Sequence, residues 1–283
     1  APVQAQLEMR GYDEVVGDAL AEADVGGSPA CVDNVVKAFA RVSDLLATPA
    51  GRSRLVAAFH VCAIESEIPN VGPLQALANR AEFVSALTEV FPAQSNDPAC
   101  GTPGCDIRAA CDVMTGADGG ADGGADGGVG GGASTELERL ARLSKMAFGG
   151  ECVDVDHDSN VKHLASAELP VGWEDGAGDF ERSWFWQTCT EFGFYQTCVD
   201  GSRCPFIVVP NAQTLDFNTE VCAKVFGNMS VAGVVDGAAT RSNVRYGGWH
   251  PGSTRVLFPS GGVDPWRANS LTDDISFSRK WLP

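Results

Sequence analysis

Apolar residues recur at three- and four-residue spacing through much of the first half of the chain, a pattern that predicts helices. The clearest case is "CVDNVVKAFARVSDLLA" (31–47), where Val32, Val35, Val36, Phe39, Val42, Leu45 and Leu46 fall on one stripe of a 3.6-residue repeat. Residues 4–21 read as a helix before it. Thr48-Pro49 opens another over "GRSRLVAAFHVC", since Thr caps well and Pro at the first helical position gives up only an orphan amide. "PLQALANRAEFVSALTEVF" (73–91) predicts a fourth, and "STELERLARLSKMAF" a fifth with Ser134 or Thr135 as its cap. Between these two lies "GADGGADGGADGGVGGGA" (116–133), an Ala-Asp-Gly-Gly repeat. It has no apolar surface to offset its ordering entropy, so it predicts a disordered loop.

The pattern changes in the last hundred residues. "RSWFWQTCTEFGFYQTC" (182–198) crowds Trp184, Phe185, Trp186, Phe192, Phe194 and Tyr195 around Gln187 and Glu191. Such a stretch reads either as a core segment stapled by cysteine or as an aromatic-walled ligand pocket. "CPFIVVP" (204–210) reads as a short extended piece. "RVLFPSGGVDPW" (255–266) reads as a buried strand, a tight turn at Pro259–Gly262, and then Asp264 fixed by Pro265 and Trp266. An acid at the carboxyl end of a strand is a common catalytic placement. Helices first and a strand running into a carboxylate afterwards predict an α/β domain that begins or resumes near residue 240.

Charge and cysteine content narrow the function classes. The 283 residues are 44% hydrophobic and carry a net charge of −17, with a pI near 4.5. A nucleic-acid binder needs a basic stripe to replace counterions, so none is expected as a partner. No apolar run reaches the length of about 18 residues that spanning a bilayer requires, so no membrane span is expected. Ten cysteines and the sequon Asn228-Met229-Ser230 point to disulfides and glycosylation in an oxidising compartment.

"DVDHDSN" (154–160) opens like an EF-hand loop but places Ser159 and Ala165 where the loop demands Gly and Glu. Cys100, Cys105 and Cys111 with His157 or His163 match no zinc spacing, so no metal or other cofactor is expected. A serine hydrolase of α/β type needs a G-x-S-x-G elbow, then the acid, then the histidine. Gly26-Gly27-Ser28-Pro29-Ala30 lacks the closing Gly, and His60, His157, His163 and His250 all precede Asp264. If Asp264 is a triad acid, neither partner is in this chain.

The stretches "WFWQTCTEFGFYQTC", "RCPF", "VCAKVFG" and "YGGWHPGSTRVLFPSGGVDPW" resemble the serine carboxypeptidase-like family of lysosomal Pro-X carboxypeptidase, dipeptidyl peptidase II and thymus-specific serine protease, nearest to the last branch. The opening "APV" and residues 31–62 resemble the segment just after that family's nucleophile elbow. The resemblance implies a partial α/β-hydrolase with a large, mostly helical, disulfide-bonded cap. Residues 1–3 would end a hydrolase strand, 4–238 form the cap, and 239–283 return to the hydrolase sheet. It implies Asp264 as the triad acid, Trp266 and Phe194 as S1 side chains, and Gln187 and Glu191 as members of the same substrate-binding motif.

The resemblance further implies the bridges Cys31–Cys111, Cys62–Cys152 and Cys189–Cys222, with Cys198–Cys204 and Cys100–Cys105 as local pairs. The family's Ser would lie upstream of Ala1 and its His downstream of Pro283. The implied function is a segment of a serine exopeptidase, of carboxypeptidase or dipeptidyl-peptidase type, acting on peptide substrates with a prolyl preference. The chain alone is expected to be inactive. Its implied setting is secreted or lysosomal, and a homodimer is compatible with it. The competing reading is a non-catalytic cap module or a pseudo-peptidase that binds peptides.

Overall fold

The computed structural model describes residues 5–64, 72–92, 96–118, 134–168, 181–208, 213–227, 231–252 and 255–272, with 231–235 by backbone alone. Most of the Asp-Gly tract, residues 1–3 and the Asn228 sequon lie outside these described residues. The chain begins with strand β1 (Gln6–Met9) and helix α1 (Gly11–Ala21), where the periodicity predicts one helix over 4–21. Pairing with a distant segment overrides that local reading. β1 runs parallel to β2 (Gly193–Gln196), matching Gln6 to Gly193 and Glu8 to Tyr195. The Asn243 side chain satisfies both backbone groups of Ala5, accepting from its N–H at 2.9 Å and donating to its C=O at 2.8 Å. An amide side chain thus extends the ladder by one residue.

Helix α2 (Pro29–Leu46) forms the axis of the core. Ser28 caps it, its hydroxyl accepting from the Cys31 N–H at 3.1 Å, and Pro29 stands at the first helical position. Cys31, Val35, Ala38, Phe39 and Val42 are fully buried. Val36, counted in the predicted stripe, is 47% exposed, so the buried stripe is narrower than the pattern. Helices α1, α3 (Pro49–Ala58), α5 (Ile107–Thr115) and α6 (Glu136–Ala147) pack around α2, and α4 (Leu77–Glu89) adds Phe83, Val84 and Leu87 to the same core. α6 starts with a reciprocal capping box between Thr135 and Glu138. Gly51 is forced by the α2–α3 corner, because a Cβ there would lie 2.2 Å from the Leu45 carbonyl oxygen.

The segment 204–208 is not a strand. Phe206, 1% exposed, lies between Phe39 at 5.0 Å and Phe91 at 5.4 Å between ring centroids. It plugs the helical core instead of pairing. The acidic run at 154–160 is a helix entrance: Asp156 caps α7 (His157–Ala165) by accepting from the Ser159 N–H at 3.1 Å. Capping explains that cluster of short acids without a bound ion.

Five disulfides join Cys31 to Cys111, Cys62 to Cys152, Cys100 to Cys105, Cys189 to Cys222, and Cys198 to Cys204. Their number is the mark of an oxidising, extracellular or luminal compartment. No helix among the described residues is long and apolar enough to cross a membrane. The protein is mostly helical, with one two-stranded sheet among the described residues.

A smaller layer carries the aromatic stretch. It contains α7, α8 (Glu181–Gln187), a π-helical turn over Thr188–Phe192, β2, α9 (Leu215–Phe226) and α10 (Val231–Tyr246). Buried His157 fastens this layer to α4, with Nδ1 2.8 Å from Glu82 and Nε2 3.3 Å from Lys224 Nζ. Lys can only donate, so Nε2 accepts and the Nδ1 hydrogen goes to Glu82.

Residues 255–258, expected as a buried strand, are unpaired among the described residues. Val256 and Leu257 are 53% and 86% exposed. A strand needs a hydrogen-bonded neighbour, and no described segment lies alongside to supply one.

Candidate active site

Asp264 is held by local backbone chemistry. Gly261 and Gly262 turn the chain, the Asp264 N–H donates to the Gly261 carbonyl at 3.3 Å, and Pro265 starts a 3-10 turn over Pro265–Asn269. Asp264 caps that turn, its Oδ1 accepting from the Trp266 N–H at 2.9 Å. The cap fixes the carboxylate's orientation while Oδ2 has no protein donor among the described residues. A carboxylate braced on one oxygen and open on the other is suited to receive an imidazole N–H. Among the described residues, no histidine pairs with it.

The same turn aims Trp266 into an aromatic ladder. Trp266 meets Tyr12 of α1 edge-to-face at 5.5 Å and Phe194 of β2 edge-to-face at 5.4 Å. Phe194 stacks on Phe192 at 5.8 Å, and Phe192 adjoins Trp184 at 6.5 Å. Two motifs about seventy positions apart in the sequence therefore meet as one wall. Gln187 and Glu191 take no part in the ladder. Gln187 lines a pocket at the end of α8, and Glu191 is exposed on the π turn.

Backbone strain positions Phe194. It sits at φ +66°, a left-handed conformation that costs a bulky residue on the order of 1–3 kcal/mol. The preceding Gly193, at φ +74°, passes so close to β1 that a Cβ would lie 2.5 Å from the Leu7 Cα and 2.6 Å from the Gln6 carbonyl oxygen. Cys189–Cys222 ties the π turn to α9, and the Tyr195 hydroxyl lies 3.0 Å from the Cys222 sulfur. Strain concentrated beside an aromatic wall is typical of a binding site held by its scaffold. Gly193→Ala is expected to part β1 from β2 and destabilise the fold by about 3 kcal/mol or more, read as a lower urea midpoint. An unchanged midpoint would show that the close approach is unimportant.

Tyr12, which the sequence alone did not single out, lies against this wall, and buried Asp13 follows it on α1. Tyr12 is buried, and its phenol is pushed well up, first by burial, then by the negative charges of Asp13, Asp264 and Glu89. It is a neutral phenol throughout the physiological range. Asp13, 6% exposed, is pushed up to about 6 by burial. The signal for Asp13 is its register: it shares the buried face of α1 with Tyr12, Val16 and Leu20. Its carboxylate lies within 4.8 Å of the Cys198 and Cys204 sulfurs. These sulfurs are joined to each other, so they offer no thiolate to a metal ion.

The family model for serine carboxypeptidase S28 matches residues 1–280. Thymus-specific serine protease of Mus musculus is 33% identical over 284 residues, covering 100% of this chain and 50% of that protein. Thymus-specific serine protease of Homo sapiens is 32% identical over 283 residues, again covering 100% of this chain and 50% of that protein. The chain thus spans about half the length of these curated relatives. No solved structure matches it. With the family model covering almost every residue, including the capped acid and the ladder, the chain belongs to the serine carboxypeptidase S28 family.

Proposed function

We propose that the chain is the cap and acid-bearing part of a serine exopeptidase of α/β-hydrolase fold. Residues 4–238 act as the cap and 239–283 as the hydrolase segment, with α10 running between them and residues 1–3 closing a hydrolase strand. Asp264 is the triad acid. It orients an imidazole through its open oxygen and stabilises the charge that forms when that ring takes the proton of a serine. Trp266 and Phe194 form S1, while Gln187 and Glu191 contact the substrate from the same motif. The observation that carries this reading is the half-capped carboxylate beside an aromatic wall. Exposed Val256 and Leu257 fit the same account, since neighbouring hydrolase strands would cover them.

Flat rings suit a pyrrolidine, so the preferred peptide has a prolyl residue in S1. The setting is secreted or lysosomal, with glycosylation at Asn228. A protein that carries this chain together with the remaining length of its relatives is expected to hydrolyse prolyl peptides faster than their alanyl counterparts. The 283-residue chain alone is expected to hydrolyse neither. Hydrolysis by the chain alone would refute the missing-partner account, and equal prolyl and alanyl rates would refute the S1 assignment.

A further inference from the structure

Trp266 stands on a 3-10 turn of five residues, too short to have a core of its own. The turn rests on α1. Gly11 lets Ala268 come close, since a Cβ there would lie 3.3 Å from the Ala268 Cβ. One residue on, the Tyr12 ring meets the Trp266 indole at 5.5 Å and an interplanar angle of 82°. Phe194 of β2 meets the same indole at 5.4 Å and 89°.

The indole is thus gripped by two edge-on rings, an arrangement the aromatic quadrupole favours at these separations. The two grips differ in kind. Phe194 is half-buried and held by a strained backbone, whereas Tyr12 is 3% exposed and belongs with Val16 and Leu20 to the main core. A close-packed core tolerates little displacement, so Tyr12 is the firmer of the two. It brings no charge toward Asp264, because burial and the neighbouring carboxylates keep its phenol neutral. The indole's place relative to Phe194 is therefore set from α1, more than two hundred positions before the turn that carries it.

We propose that Tyr12 is a specificity-determining positioning residue, whose ring holds Trp266 from the core side at the distance from Phe194 that a prolyl ring fills. It touches no substrate and acts through the indole alone. An apolar side chain without the ring would let the indole settle back toward α1 and widen the gap. The loss falls on a substrate residue that fills S1, and a smaller one that fits loosely is indifferent to it. This inference rests on the reading of Trp266 and Phe194 as S1. The contact between Tyr12 and Trp266 does not.

The test is the ratio of kcat/KM for a prolyl peptide to that for its alanyl counterpart, in a protein carrying this chain together with the remaining length of its relatives. Both substrates are read on one preparation, so the ratio is independent of the fraction that folds. Tyr12→Leu is expected to lower it about tenfold, mainly through the prolyl KM, and Tyr12→Phe, which keeps the ring, to hold it. Tyr12→Met fills the space with a flexible chain, is expected to act as Leu does, and serves if the Leu variant fails to fold. In a Trp266→Ala background, Tyr12→Leu is expected to change the ratio by less than about twofold, since Tyr12 acts through the indole. With Trp266→Ala itself lowering the ratio, three results would overturn the role of Tyr12: an unchanged ratio in Tyr12→Leu or Tyr12→Met, a tenfold fall in Tyr12→Phe, or a fall that persists without the indole. An unchanged ratio in Trp266→Ala would overturn the S1 reading itself, and this inference with it.

Discussion

Asp13→Asn is expected to stabilise the protein at neutral pH by about 3 kcal/mol and to have little effect near pH 4. Burial raises the Asp13 carboxyl from its ordinary 3.8 to about 6, so the folded state favours the protonated form. The stability gained from holding that proton is complete below the ordinary value and is lost as pH rises through about 6. Above that range the native protein must keep a charge on a residue that is only 6% exposed. Burial is the cause of that shift, with no offsetting cation among the described residues. Asn has the shape of the protonated acid and carries no charge at any pH.

Melting curves at pH 4 and pH 7.5 check this. The variant should melt with the parent at the lower pH and roughly 6–12 °C above it at the higher, at the few degrees per kcal/mol of a domain this size. A pH-independent difference would show that Asp13 acts through packing alone.

How much the sequence revealed depended on whether an element needed a distant partner. α2 and α6 are legible because an amphipathic repeat is a local property, and α3 because Thr48 and Pro49 open it locally; Thr48 and Thr135 do cap their helices. β1 was misread as helix because four residues acquire strand character only against β2, nearly two hundred positions away. Residues 255–258 have the composition of a buried strand, yet no described segment pairs with them, because the pairing a strand needs is not a local property. Phe206 shows a third limit. "CPFIVVP" has a strand's composition, but what decides its place is the gap between Phe39 and Phe91.

The candidate site was legible as residue types more than as geometry. Asp264 stood out because Gly-Gly and Pro-Trp frame it, and the same local chemistry makes its cap. Trp266 and Phe194 were linked only by resemblance, and their edge-to-face contact is a tertiary fact. Tyr12 and Asp13 were hidden because an acid on an apolar helix face is read as tolerated at the rim, whereas here the face is fully covered.

Asp264→Asn carries the largest expected effect, about four orders of magnitude in the reaction of the active-site serine, because the histidine would be left in the wrong tautomer. The cap on Trp266 can survive, since an Asn side-chain oxygen accepts as the carboxylate does. The variant is thus expected to fold and to keep the ladder. Covalent labelling by a fluorophosphonate, with the adduct mapped by mass spectrometry, tests the claim most directly in a protein carrying this chain together with the remaining length of its relatives. The adduct should fall on a serine outside residues 1–283, and Asp264→Asn should slow its formation by about 10⁴. An adduct on a serine within residues 1–283, or labelling of the Asn variant at the parent rate, would contradict the assignment of Asp264 as the triad acid of a peptidase.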